Sequence, residues 1–127
     1  MQTRCKLAAQ IEQRLLDRNE LFTRFFDLEA SRLALACQEM SNRFLRGGRL
    51  IAFGRGPYAT DAQHVSVEFV HPVIVGKRAL PALDLSILFR PWLDALLKPA
   101  DIVMGFGPPE GEPEVWATLQ SANARDA

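Results

Sequence analysis

Residues 50–85 read LIAFGRGPYATDAQHVSVEFVHPVIVGKRALPALDL, and their succession of apolar run, glycine loop, helical segment and second apolar run decides the fold. Arg49-Leu50-Ile51-Ala52-Phe53 lacks polar alternation, as a strand covered on both faces would. Gly54-Arg55-Gly56-Pro57-Tyr58-Ala59 follows as a loop, and Thr60 or Asp61 is placed to cap a helix running to Val70. His71-Pro72 ends that helix, with His71 at its terminus. After Gly76-Lys77-Arg78, the run Ala79–Leu85 reads as a second strand whose Pro81 belongs at its beginning or on a sheet edge.

Upstream, the chain to Arg46 has no proline or glycine and is rich in good helix formers. Two helices are expected, with a break between Asp17 and Asp27. Ile11, Leu15 and Leu16 stripe the first; Leu28, Leu35 and Phe44, with Leu33, Ala36 and Met40, stripe the second. Gly47-Gly48 stops the second helix. Downstream, Pro91–Lys98 reads as a helix, Asp101–Phe106 as a third strand, Gly107–Glu112 as a second loop, and a last helix begins at Pro113. The order ααβαβαβα implies an α/β fold in three layers: a parallel sheet of about three strands, preceded by two N-terminal helices. Its binding loops belong at the carboxyl ends of the strands. The expectation is one domain over 1–127, with a helical oligomerisation region at 1–46 and an α/β core at 47–127.

Composition narrows the function classes. With 48% hydrophobic and 24% charged residues, 127 residues suffice for one compact core. Fifteen Lys+Arg balance fifteen Asp+Glu, so no overall field attracts nucleic acid or an anionic membrane. No apolar run approaches the roughly 20 residues of a spanning helix, and the opening MQTRCK is unlike a signal peptide. A cytoplasmic protein without nucleic-acid or membrane partners is expected. Cys5 and Cys37 lack metal-ligand spacing and fall in helical segments, where reduced, packed thiols are expected.

The stretch quoted above is similar to the sugar isomerase (SIS) domain of phosphoheptose isomerases: a strand, a G-N-G-G-S loop, an A-D-A-Q-H helix with a following Glu, then R-x-A-L-P-A. The likeness extends back through Gly47-Gly48 and forward to Lys98-Pro99-Ala100-Asp101-Ile102-Val103-Met104-Gly105. It implies aldose–ketose interconversion of a sugar phosphate such as sedoheptulose 7-phosphate. In that chemistry loops hold the phosphate, and a carboxylate and a histidine move protons through an enediol. The chain departs from the family in both loops. The family's Asn, second Gly and Ser fall on Arg55, Pro57 and Tyr58. Its S-T-S-G-N-S phosphate cradle falls on Gly107, Pro108, Pro109, Glu110, Gly111 and Glu112. There the hydroxyls are gone, two prolines lack N–H donors, and two carboxylates repel phosphate. The chain is also shorter than the family between Ser86 and Arg90, and it stops before the family's later strands and the C-terminal helix that bears a catalytic histidine.

The resemblance carries the family's catalytic and metal positions onto His64 and Glu68, four residues apart on one helix face. Glu68 could take a proton alpha to a carbonyl, and His64 could share a zinc ion with it. Zinc needs further protein ligands, which the family supplies from its C-terminal region, so only a different chain would complete the site. Arg55 and Arg78, with Lys77, are candidate anion-binding residues, and the alternative is a solvated basic turn. Tyr58, Thr60 and Asp61 complete the candidate substrate-binding set. The family reading is a sugar-phosphate (carbohydrate derivative) binding protein with impaired catalysis. The alternative is a non-catalytic interaction or assembly module on the SIS scaffold. Family assembly through N-terminal helices makes a homo-oligomer, dimer or tetramer, the expected state. The Phe22, Phe25 and Phe26 cluster would pack within it, and an unpaired sheet edge offers a protein partner a place to pair.

Overall fold

The computed structural model describes residues 2–127, with side chains from Lys6 onward. Helix α1 spans Gln2–Leu45, strand β1 Leu50–Gly54, a 3-10 turn Gly56–Tyr58, helix α2 Ala59–Val70 and strand β2 Ala82–Asp84. Helix α3 (Phe89–Leu96), strand β3 (Ile102–Phe106) and helix α4 (Pro113–Asn123) complete the chain. The chain divides into two compact units, Met1–Glu39 and Met40–Ala127.

One helix stands where two were expected: α1 runs unbroken for 44 residues through the Asp17–Asp27 region. Links four residues apart tie its turns together there. The Gln13 amide donates to Asp17 at 2.8 Å, the Arg18 guanidinium lies 5.6 Å from the Phe22 ring centre, and Phe22 stacks on Phe26 at 6.2 Å. With no glycine or proline in that stretch, nothing opposes propagation. In the first unit, Leu7, Ile11, Leu15, Phe22 and Phe26 recur at helical spacing and are all exposed. Cys37 is also an exposed free thiol, contrary to the packed position expected of it; the Cys5 side chain lies outside the described residues.

The helix ends in a Schellman motif: Gly48 N–H donates to Arg43 C=O at 2.9 Å and Gly47 N–H to Phe44 C=O at 3.0 Å, with Gly47 at φ +84°. Gly48 also lets two backbones meet, because a Cβ there would lie 1.9 Å from the Ala100 carbonyl oxygen. This turn delivers the chain into β1.

The sheet is parallel, in the order β2-β1-β3, with Leu50 opposite Ala82 and Ile102, and Gly54 opposite Phe106. All five residues of central β1 are buried, as its unbroken apolar run requires. Ile51 and Phe53 face Phe89, Leu93 and Leu97 on one side of the sheet, together with Val115 and Ala122 of α4. Helix α2, which contributes nothing to that cluster, packs on β1 and β2 and covers the opposite face, making three layers. Each large side chain so buried contributes about 1.5–3 kcal/mol. Pro81 stands just before edge strand β2 and accepts from Leu50 N–H at 2.9 Å, satisfying both expectations for a proline there.

Two helix starts differ from expectation. α2 begins at Ala59, capped at Tyr58 rather than by Thr60 or Asp61, because the 3-10 turn opened by Gly56 (φ +55°) and Pro57 winds directly into it. α3 begins at Phe89, two residues before Pro91, after Leu88 turns the chain with φ 57°. His71 does stand at the C-terminus of α2, where its N–H donates to Val67 C=O at 2.7 Å. No helix among the described residues is long and apolar enough to cross a membrane.

Candidate functional site

Parallel strands bring their following loops to one edge of the sheet, and the cleft lies there. Its volume is about 340 Å³, and it lies between the Gly54–Gly56 loop, Gln63 of α2, the Ser86–Pro91 segment and Glu114 of α4. Gly54 ends β1 where a side chain cannot fit: a Cβ would lie 2.5 Å from the Tyr58 carbonyl oxygen. The 3-10 turn therefore folds tightly over the strand end and leads Ala59 and Gln63 to the cleft wall.

The floor is held by a polar latch between β1 and β2. Asp84 accepts from Ser86 N–H at 3.0 Å and from Ser86 Oγ at 2.5 Å, while Ser86 Oγ accepts from Gly54 N–H at 3.1 Å. Directly after Ser86 in the chain, Ile87 and Leu88 add apolar side chains, 79% and 68% exposed, to the lining. Arg90 contributes a second guanidinium to the lining.

Arg55 leaves the end of β1 and reaches across to the segment after β3. Its Nη1 pairs with Glu114 in the first turn of α4 and lies 3.8 Å from Glu112. The loop between β3 and α4 contains a turn closed by Gly111 N–H to Pro108 C=O at 2.9 Å. Pro113, the first residue of α4, presents no N–H.

The remaining candidate residues lie elsewhere. His64 Nε2 and Glu68 Oε1 are 3.7 Å apart on α2, with side chains 75% and 43% exposed, and neither lines the cleft. Among the described residues no three His, Cys, Asp or Glu side chains gather. The pair thus supplies two donors where a zinc site takes at least three from protein, and no chemical step is routed through a metal here. Thr60 and Asp61 are exposed in the first turn of α2, and Tyr58 is half-buried and lends its backbone to the cover of Gly54. Arg78 precedes β2 and therefore lies at the amino end of the strands, away from Arg55. The residues that sequence reasoning passed over are Gln63, Ser86, Arg90 and Glu114. Ser86 and Glu114 each follow a strand, which is a position signal; Arg90 carries none.

The comparisons agree on the architecture. No family model matches the chain. It is 32% identical over 114 residues to a phosphoheptose isomerase of Desulfovibrio desulfuricans, covering 77% of this chain and 54% of that protein. It is 30% identical over 122 residues to one of Nitratidesulfovibrio vulgaris, covering 84% of this chain and 59% of that one. The chain thus spans somewhat more than half the length of the curated relatives it matches. The phosphoheptose isomerase structure from Neisseria gonorrhoeae superposes with a TM-score of 0.77 at 18% identity, over 94% of this chain and 71% of that one. With three parallel strands, covering helices and these matches, the chain has the phosphoheptose isomerase-like SIS fold.

Proposed function

We propose that this protein binds sugar phosphates or related carbohydrate derivatives in the cleft at the end of β1, and that its isomerase chemistry is impaired. The cleft itself carries the reading: it lies at the strand ends of a fold shared with phosphoheptose isomerases, floored by Ser86 and flanked by Arg55 and Arg90. Impairment is supported by the absence of His64 and Glu68 from the cleft lining. His64 and Glu68 face outward from α2, and the segment after β3 holds prolines and carboxylates in place of hydroxyl donors. Zinc belongs to this reading only with donors from beyond these residues joining His64 and Glu68. A thermal-shift panel of sugar phosphates, with and without zinc, tests it directly. A rise in Tm with sedoheptulose 7-phosphate that Arg90→Ala weakens is the expected result, and no shift with any phosphosugar would sink the reading.

A second reading, a non-catalytic assembly module, is favoured by one observation: the exposed apolar stripe Leu7, Ile11, Leu15, Phe22 and Phe26 on α1. Such a stripe in water favours association, and a homo-oligomer, dimer or tetramer, formed through α1 is compatible with either reading. A heterologous partner at the sheet edge belongs to the second alone. Sedimentation of the pure protein tests the support for the second reading, because a stable homo-oligomer accounts for the stripe without a heterologous partner.

A further inference from the structure

The pairing of Arg55 with Glu114 has a consequence for which ligands the cleft admits. Two features at that end of the cleft would each attract an anion: the Arg55 guanidinium and the positive end of the 11-residue helix α4. Glu114 engages both. It sits in the first turn of α4 and its Oε2 accepts from Arg55 Nη1, while Glu112 stands 3.8 Å from the same nitrogen. The contact joins the loop after β1 to the first turn of α4, the helix that follows the neighbouring parallel strand β3, and Gly54 pairs in register with Phe106. A phosphate approaching Arg55 therefore meets a carboxylate already bound there, and has to displace it against the repulsion of both glutamates.

We propose that Glu114 is an internal competitor for the anion position of the cleft, and so determines the charge class of ligand accepted there. With Glu114 in place, the Arg55 end favours neutral, hydroxyl-rich groups over a phosphate dianion, and the anionic part of a ligand is left to Arg90, the other guanidinium of the lining. This rests on the carbohydrate-binding reading above and deepens it, because it specifies which end of a phosphosugar faces α4. Both partners are partly exposed, at 54% and 39% of their side-chain surfaces, so the pair can open without unfolding.

The test uses inorganic phosphate as probe and isothermal titration at low ionic strength. Glu114→Gln should bind phosphate roughly tenfold more tightly than the parent chain, with the gain shrinking as salt screens the site. Glu114→Ala should give the same gain, which keeps the test open should the amide misfold. Adding Arg55→Gln should abolish it. Glu110→Gln removes the same charge from the neighbouring loop and should change affinity less than about twofold. Unchanged affinity in Glu114→Gln, a gain that persists without Arg55, or an equal gain in Glu110→Gln would each overturn the proposal. Sedoheptulose 7-phosphate is titrated separately. A phosphate gain without sugar-phosphate binding supports the Glu114 contact while removing the carbohydrate reading; tight sugar-phosphate binding, unaltered by Glu114→Gln, does the reverse.

Discussion

Asp101 holds Arg49 through both of its carboxylate oxygens. Arg49 Nη2 donates to Oδ2 at 2.6 Å, and Nε and the backbone N–H of Arg49 donate to Oδ1 at 3.1 and 3.0 Å. Lys98 N–H adds a fourth donor at 2.9 Å, and the free edge of the guanidinium reaches Leu96 C=O at 2.8 Å. The pair lies at the amino ends of β1 and β3, away from the cleft, and Asp101 is 1% exposed. It belongs to the scaffold, whereas the partly exposed Arg55 pair at the other end belongs to the site.

Removing one member of a buried pair leaves the other uncompensated, so Asp101→Ala should cost about 3 kcal/mol, the lower end of the usual range because Arg49 keeps some access to water. Urea unfolding measures it. A loss under about 1 kcal/mol would mean that water replaces the carboxylate readily.

The same carboxyl sets an acid limb. Burial pushes the Asp101 carboxyl up, but hydrogen bonds from Arg49 and from the backbone N–H groups of Lys98 and Arg49, together with the Arg49 charge, outweigh it and hold it below its ordinary value. The native form therefore takes up a proton less readily than the unfolded chain. Its stabilisation is complete above about pH 4 and is lost as pH falls through the native value beneath that. Tm should fall more steeply below pH 4 in the parent chain than in Asp101→Asn.

Gly47 and Gly48 should respond differently to a methyl group. Gly47→Ala meets open space but requires a left-handed backbone, and should cost about 1–2 kcal/mol. At Gly48 a Cβ would overlap the Ala100 carbonyl oxygen at 1.9 Å, so Gly48→Ala should cost more than about 3 kcal/mol or prevent folding. Equal costs in denaturant titrations would argue against the close crossing of the two backbones.

Ser86→Ala removes the acceptor for Gly54 N–H and the hydroxyl donor to Asp84. Stability should fall by about 1–2 kcal/mol. Phosphosugar binding, read by titration, should weaken with it, because the floor of the cleft loses its tie to β2.

His64→Ala and Glu68→Gln change exposed side chains outside the cleft and should leave stability within about 0.5 kcal/mol. Ligand-induced thermal shifts with sedoheptulose 7-phosphate should persist in both variants, because neither side chain lines the cleft. Loss of the thermal shift would mean that the pair touches ligand.

Much of the fold was legible because it rests on local pattern. The apolar run at 50–53, the Gly47-Gly48 stop and the proline-marked edge strand each have one economical reading, and the parallel order of strands and helices follows from them. The expected break in α1 failed for a local reason as well: no glycine or proline stands between Asp17 and Asp27 to end the helix.

By itself, then, the sequence determined the element types, the parallel sheet and the edge on which a site would lie, because hydrophobic period and glycine or proline placement act over a few residues. Only the tertiary structure decided the membership of that site. His64 and Glu68 share a helix face yet do not line the cleft, and Arg55 meets Glu114 across 59 residues of chain. Such convergence depends on how neighbouring strands register and where each following loop turns, which spacing along the chain does not encode.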